Sequence, residues 1–210
     1  MSNEETWPLE GIRPIDRDAL RAQTSGAKPV KNFTIENFLE EDFANEVHDC
    51  FPSFEEAKGL GSMTASTVNE QNKYQVTDST LFKPPLLRLH EMLASEYFCD
   101  LLSHAFDIPN ILPDAELSGG GIHQTGPRGH LDVHVDFNYI EDRKLFRRMN
   151  ILVYFNKDWQ DEWGGNIELW DEDVRNCVHS FSPTFNRCVV FETNEISYHG
   201  VTAVRCPEGN

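Results

Sequence analysis

Apolar positions follow two different periods along the chain. Before about Ala115 they recur at near-helical spacing: a short strand at Asn32 to Ile35 is followed by Phe38, Leu39, Phe43, Val47 and Phe51, which predict a helix. The stretch "PPLLRLHEMLASEYFCDLLSHAFDIP" predicts two more helices, the second capped by Ser95, both ending before Pro109. Beyond Ala115 the runs become short and alternate between apolar and polar, interrupted by "SGGG", "TGPRG", "NKDWQDEWGG" and "SPTFN". Strands are predicted at Glu116 to Gln124, His130 to Phe137, Arg148 to Asn156, Asn166 to Trp170, Cys177 to Phe181, Arg187 to Glu192 and Ile196 to Val204. Helices followed by many short strands predict a mainly β fold with flanking helices, built as a sandwich or jelly roll. Residues 1–30 are polar with scattered proline, a lead segment that either wraps over the domain or stays mobile. Residues 31–210 read as a single domain, helical in its N-terminal half and β in its C-terminal half.

Composition narrows the partners. The chain has 210 residues, 39% of them hydrophobic, enough for one sizeable core. Its 35 acidic against 18 basic residues, a formal charge of −17, argue against a surface built for nucleic acid or anionic lipid, which needs clustered Lys and Arg. No apolar run approaches the ~20 residues needed to cross a bilayer, and the start "MSNEETWPLE" lacks the features of a secretory signal. Five scattered cysteines with no CxxC pair fit reduced thiols rather than a disulfide framework, so a cytoplasmic protein is expected.

Candidate chemistry concentrates in "GHLDVHVDFN", Gly129 to Asn138. As a strand, this stretch places His130, Asp132, His134 and Asp136 on one face, with Leu131, Val133, Val135 and Phe137 on the other, towards a core. Two His and one carboxylate on one side of a metal, with the remaining positions open, are what a mononuclear non-haem Fe(II) centre requires. Both His130-Leu-Asp132 and His134-Val-Asp136 could supply two ligands, and His199 in "EISYHGVTAV" could supply the third from a late strand.

The order of several elements resembles the 2-oxoglutarate and Fe(II)-dependent oxygenases, in particular the prolyl-4-hydroxylase-like group. The matching pieces are His134-Val-Asp136, "YFNKDW" (Tyr154 to Trp159), Gly164-Gly165, "RCVVFET" (Arg187 to Thr193) and "YHGV" (Tyr198 to Val201), within Glu116 to Asn210. The resemblance implies a double-stranded β-helix, or jelly roll, binding Fe(II) through His134, Asp136 and His199. It leaves His130 and Asp132 as supporting or surface residues.

It also implies 2-oxoglutarate as cosubstrate, with Tyr154, Asn150 and Arg205 as its contacts, and admits ascorbate as a reductant. His123 and Asn138 become candidate substrate contacts. Arg205 is the only basic residue after His199, and in related sequences a "CPEG"-like turn precedes the Arg that anchors the cosubstrate. The expectation is therefore that the chain stops short of the complete protein and that Arg205 is a weak substitute. The implied reaction is hydroxylation of an unactivated C–H bond, on a prolyl residue, a free amino acid or another small molecule, with succinate and carbon dioxide as coproducts. The rival readings are a catalytically silent jelly-roll binding module and a non-hydroxylating member of the same class, such as a halogenase, against which an intact Asp136 argues. The oligomeric state is left open.

Overall fold

The computed structural model describes residues 7–63 and 70–207. Its helices are α1 (Arg17–Gly26), α2 (Glu41–Cys50), α3 (Phe54–Leu60), α4 (Pro84–Leu93) and α5 (Glu96–Phe106). The strands are β1 (Asn32–Ile35), β2 (Ser62–Met63), β3 (Glu70–Val76), β4 (Ile122–His134), β5 (Tyr139–Ile140), β6 (Leu145–Phe146), β7 (Met149–Tyr154), β8 (Ile167–Trp170), β9 (Cys177–Phe181), β10 (Arg187–Glu192) and β11 (His199–Val201). Helix ends carry their own signals. The Asp16 carboxylate accepts from the first amides of α1, Ser53 and Glu56 form a reciprocal capping box on α3, and Ser95 caps α5.

Two larger antiparallel sheets form the β half, a three-stranded sheet in the order β1-β10-β7 and a six-stranded one in the order β2-β3-β4-β11-β8-β9, and β5 and β6 pair as a separate two-stranded ribbon. Side-chain alternation lets β10 serve two cores. Val189 and Phe191 point between the sheets and pack with Ile167 and Leu169 of β8, while Cys188 and Val190 join the core formed with the helices. β7 divides the same way. Asn150, Leu152 and Tyr154 face inwards, and Met149, Ile151 and Val153 pack towards α2, α4 and α5. The result is a jelly roll backed by helices on its smaller sheet, as expected for the fold class.

Several local expectations need correction. The separate strands at Glu116 to Gln124 and His130 to Phe137 are one long strand, β4, beginning at Ile122 and ending at His134. The "TGPRG" segment does not break it, because Arg128 takes a left-handed φ of 63° and the extra residues are absorbed as a bulge against β3. Phe137 is not a core residue: it is 55% exposed. β11 is only His199–Val201. Helix α1 forms within the lead segment and buries Leu20 and Thr24, with Leu9 and Ile12 also in the core. Helix α3 and the β2–β3 hairpin arise from stretches without a clear period. Cys50, Cys99, Cys177 and Cys188 are free thiols. Among the described residues, no helix is long and apolar enough to cross a membrane.

Candidate metal centre

A second bulge in β4 builds the site. Opposite strands share a face, and β11 pairs His199 with His134 but Val201 with Leu131, so β4 spends one residue more than β11 between these pairs. That extra residue reverses the alternation of β4. Leu131 and His134 both look inwards, while His130 and Asp132 fall on the outer face with Gly200 and Glu168, lining an open groove of about 370 Å³. The expected common face for all four polar residues is thus divided, and His130-Asp132 is separated from His134-Asp136. Gly200 is the residue that allows it. A Cβ there would lie 2.9 Å from the Leu131 carbonyl oxygen and 3.2 Å from the Val133 nitrogen, both backbone atoms of the bulge.

His134, Asp136 and His199 converge, each offering one ligand atom within 4.8 Å of the others. His134 Nε2 lies 3.2 Å from Asp136 Oδ1, His199 Nε2 lies 3.7 Å from Asp136 Oδ2, and the two imidazole centroids are 4.5 Å apart. Each ring turns its Nδ1 to a backbone carbonyl, His134 to Asp132 at 2.9 Å and His199 to Ser197 at 2.8 Å. A carbonyl can only accept, so Nδ1 carries a proton in both rings, and Nε2, which in His134 hydrogen-bonds the Asp136 carboxylate at 3.2 Å, is the nitrogen that would bind a metal on losing its own proton. Burial alone would raise the Asp136 carboxyl, but the hydrogen bond from His134, the charges of His199 and Arg147 and the Asn150 amide hold it far below the ordinary range. The Asp136 hydrogen bond raises His134, whereas burial lowers His199. Two neutral-capable imidazoles and a firmly ionised carboxylate, partly buried on one side of a common point, are a donor set that fits Fe(II).

Around this cluster the sequence analysis missed three charged residues. Arg147, only 13% exposed, lies 3.4 Å from Asp136 Oδ2 and donates to Asn150 Oδ1 at 2.9 Å. Glu70 and Lys73 of β3 pair at 2.7 Å on the wall beside β4. Arg147 stands just outside a strand, where alternation says nothing of its direction, and β3 ("EQNKYQV") has too little apolar character to be seen as a strand at all.

Of the expected cosubstrate and substrate contacts, Asn150 directs its amide at Asp136 and Arg147. Tyr154 lies on the same inner face further along β7, and burial keeps its phenol neutral, as a hydroxyl donor must be. His123 stands on β4 opposite Gln75, near Lys73, Glu70 and Arg147, with burial lowering its pKa to about 4. Asn138 has a buried Oδ1 without a hydrogen-bond partner among the described residues. Arg205 is exposed beyond the end of β11, its backbone nitrogen bonded to the Trp163 carbonyl.

Residues 120–208, which contain all three converging residues, match the 2OG-Fe(II) oxygenase superfamily. The mouse prolyl 3-hydroxylase OGFOD1 is 32% identical over 72 residues, which cover 32% of this chain and 13% of the mouse protein. The match therefore spans about an eighth of that relative's length. Solved structures extend the likeness of the oxygenase fold to the helical half. A Pseudomonas putida prolyl-4-hydroxylase superposes with a TM-score of 0.58 at 18% identity, over 89% of this chain and 92% of its own. A Trichoplax adhaerens prolyl hydroxylase, solved with a peptide fragment of the hypoxia inducible factor oxygen degradation domain, gives 0.60 at 19% identity over 97% and 90%.

Proposed function

We propose that the chain is an Fe(II)- and 2-oxoglutarate-dependent hydroxylase, with His134, Asp136 and His199 holding the iron, and that its substrate is a prolyl residue in a polypeptide. The carrying observation is the convergence of two Nε2 atoms and one carboxylate at the inner face of a jelly roll, within a segment that matches the oxygenase superfamily. Polypeptide prolyl substrates are favoured over free amino acids because the similar proteins are prolyl hydroxylases, one of them seen with a peptide. Residues 31–210 would form one oxygenase domain, with the described part of the lead segment packed on it through Leu9, Ile12 and Leu20.

Iron and 2-oxoglutarate, when bound, supply oxidation of a C–H bond by dioxygen: one oxygen atom enters the substrate as hydroxyl and the other enters succinate, with release of carbon dioxide. The chain's own residues prepare for this. His134 and His199 present Nε2 to the metal because their Nδ1 protons are committed to carbonyls, and Asp136 supplies the negative charge that offsets the metal. Tyr154, as a neutral phenol, would donate to a carboxylate of the cosubstrate, and Asn138 Oδ1 and His123 would line the substrate side. Phe191, in ring contact with His199 at 4.8 Å, keeps the floor of the site apolar and dry.

Succinate formation from 2-oxoglutarate, measured with Fe(II) and proline-containing peptides, tests the reading. His134→Ala and His199→Ala are each expected to lower turnover at least about a hundredfold, because each removes a ligand from a three-ligand site. Turnover retained in either variant would refute the assignment. Iron binding without any succinate would favour the silent binding module.

A further inference from the structure

Asp136 is the exception among the three converging residues. His134 ends β4 and His199 begins β11, so ladder hydrogen bonds fix both backbones, and each ring is pinned through Nδ1. Asp136 lies past the end of β4 in a segment with no strand pairing, and its neighbour Phe137 is 55% exposed. A carboxylate on such a segment needs a side-chain support to hold one orientation.

That support comes from the facing sheet. Asn150, on the inner face of β7 opposite Phe191, donates from Nδ2 to Asp136 Oδ2 at 2.8 Å. Its own Oδ1 accepts from the Arg147 guanidinium at 2.9 Å, which fixes which way round the amide stands. Arg147 is held in turn: its guanidinium covers the Phe137 ring at 4.6 Å and lies 3.4 Å from Asp136 Oδ2. Oδ2 is thereby engaged, and Oδ1 is left on the side of His134. Resting on the iron reading above, we propose that Asn150 and Arg147 are positioning residues that fix the Asp136 carboxylate for metal binding, with Asn150 as the hydrogen-bonded contact and Arg147, 3.4 Å from Oδ2, as the ion-pair partner that also orients the Asn150 amide.

Calorimetric titration with Mn(II) in the absence of 2-oxoglutarate, together with thermal unfolding of the metal-free protein, tests the relay without relying on activity. Asn150→Leu, close to isosteric, is expected to weaken Mn(II) binding about 10- to 100-fold while moving the metal-free unfolding midpoint by only a few degrees. Arg147→Lys keeps the charge but not the planar fork, and is expected to fall between the unsubstituted protein and Asn150→Leu. Mn(II) affinity within twofold of the unsubstituted protein in Asn150→Leu overturns the proposal, as does an affinity loss seen only alongside a collapsed midpoint. Should Asn150→Leu fail to fold, Arg147→Met decides: unchanged affinity there overturns the relay. The iron reading fails separately, if the unsubstituted protein binds no Mn(II) or if His134→Ala binds it equally well.

Discussion

At the scale of single residues, the site depends on one position without a side chain. Gly200 lies opposite the β4 bulge, where a methyl group would press on backbone atoms that cannot rotate away. The bulge turns His134 inwards and leaves Asp132 outside, so crowding it should disturb the ligands as well as the fold. Gly200→Ala is expected to destabilise the protein by about 1 to 3 kcal/mol, the usual range for overpacking, and to weaken Mn(II) binding in the same sample. Urea unfolding and titration measure the two effects, and a variant as stable as the unsubstituted protein would show that the strands relax around the methyl. The same bulge separates the two carboxylates. Asp132→Ala should leave metal binding intact, whereas Asp136→Ala should abolish it.

At the scale of elements, the wall formed by β3 and β4 carries a pH dependence. Burial keeps His123 neutral in the folded protein down to a pKa of about 4, while in the unfolded chain it protonates near its ordinary value of about 6.5. Between these values the unfolded state binds more protons, so the stability linked to this residue is complete above about pH 6.5 and is lost as the pH falls towards 4. From pH 7.5 to 5 the stability difference between the unsubstituted protein and His123→Gln should shrink by about 2 kcal/mol. A difference in urea unfolding that stays constant over that range would place His123 in water. Legibility in the sequence followed the same elements. Asn32–Ile35, Cys177–Phe181 and Arg187–Glu192 match their strands residue for residue: the first and last have apolar positions committed to a buried face, while Cys177–Phe181 is an edge strand of exposed and half-buried residues marked by its alternation. The ligand set could be read because the His-x-Asp spacing survives at the end of a strand. Hidden from view were the two bulges of β4, whose causes lie in its partners β3 and β11, and the Arg147–Asn150 relay, which joins a loop to a facing sheet.

At the scale of the whole molecule, the helical and β halves share structure rather than merely touching. β1, from the N-terminal half, is an outer strand of the smaller sheet and pairs along its whole length with β10. Asn186, 3% exposed and in a left-handed conformation at the turn before β10, makes four bonds, three of which tie the two halves. Its side chain bonds both backbone groups of Leu39 at 2.8 and 2.9 Å, its carbonyl accepts from Phe38, and its amide donates to Tyr154. Because the strand that carries Phe191 beneath His199 is the strand that β1 completes, loss of the helical layer should release the metal site too. Unfolding by urea is therefore expected to be a single transition, with coincident midpoints for helical circular dichroism and for tryptophan emission measured in a Trp7→Phe background, where the remaining Trp159, Trp163 and Trp170 all lie in the β half. Asn186→Ala leaves two buried groups of Leu39 unpaired and strains the left-handed turn, at a cost on the order of 3 kcal/mol. It should move both midpoints together. A variant in which the helical signal is lost first while the emission transition stays in place would show that the jelly roll stands without its helices, and that the contacts through β1 and Asn186 do not couple them.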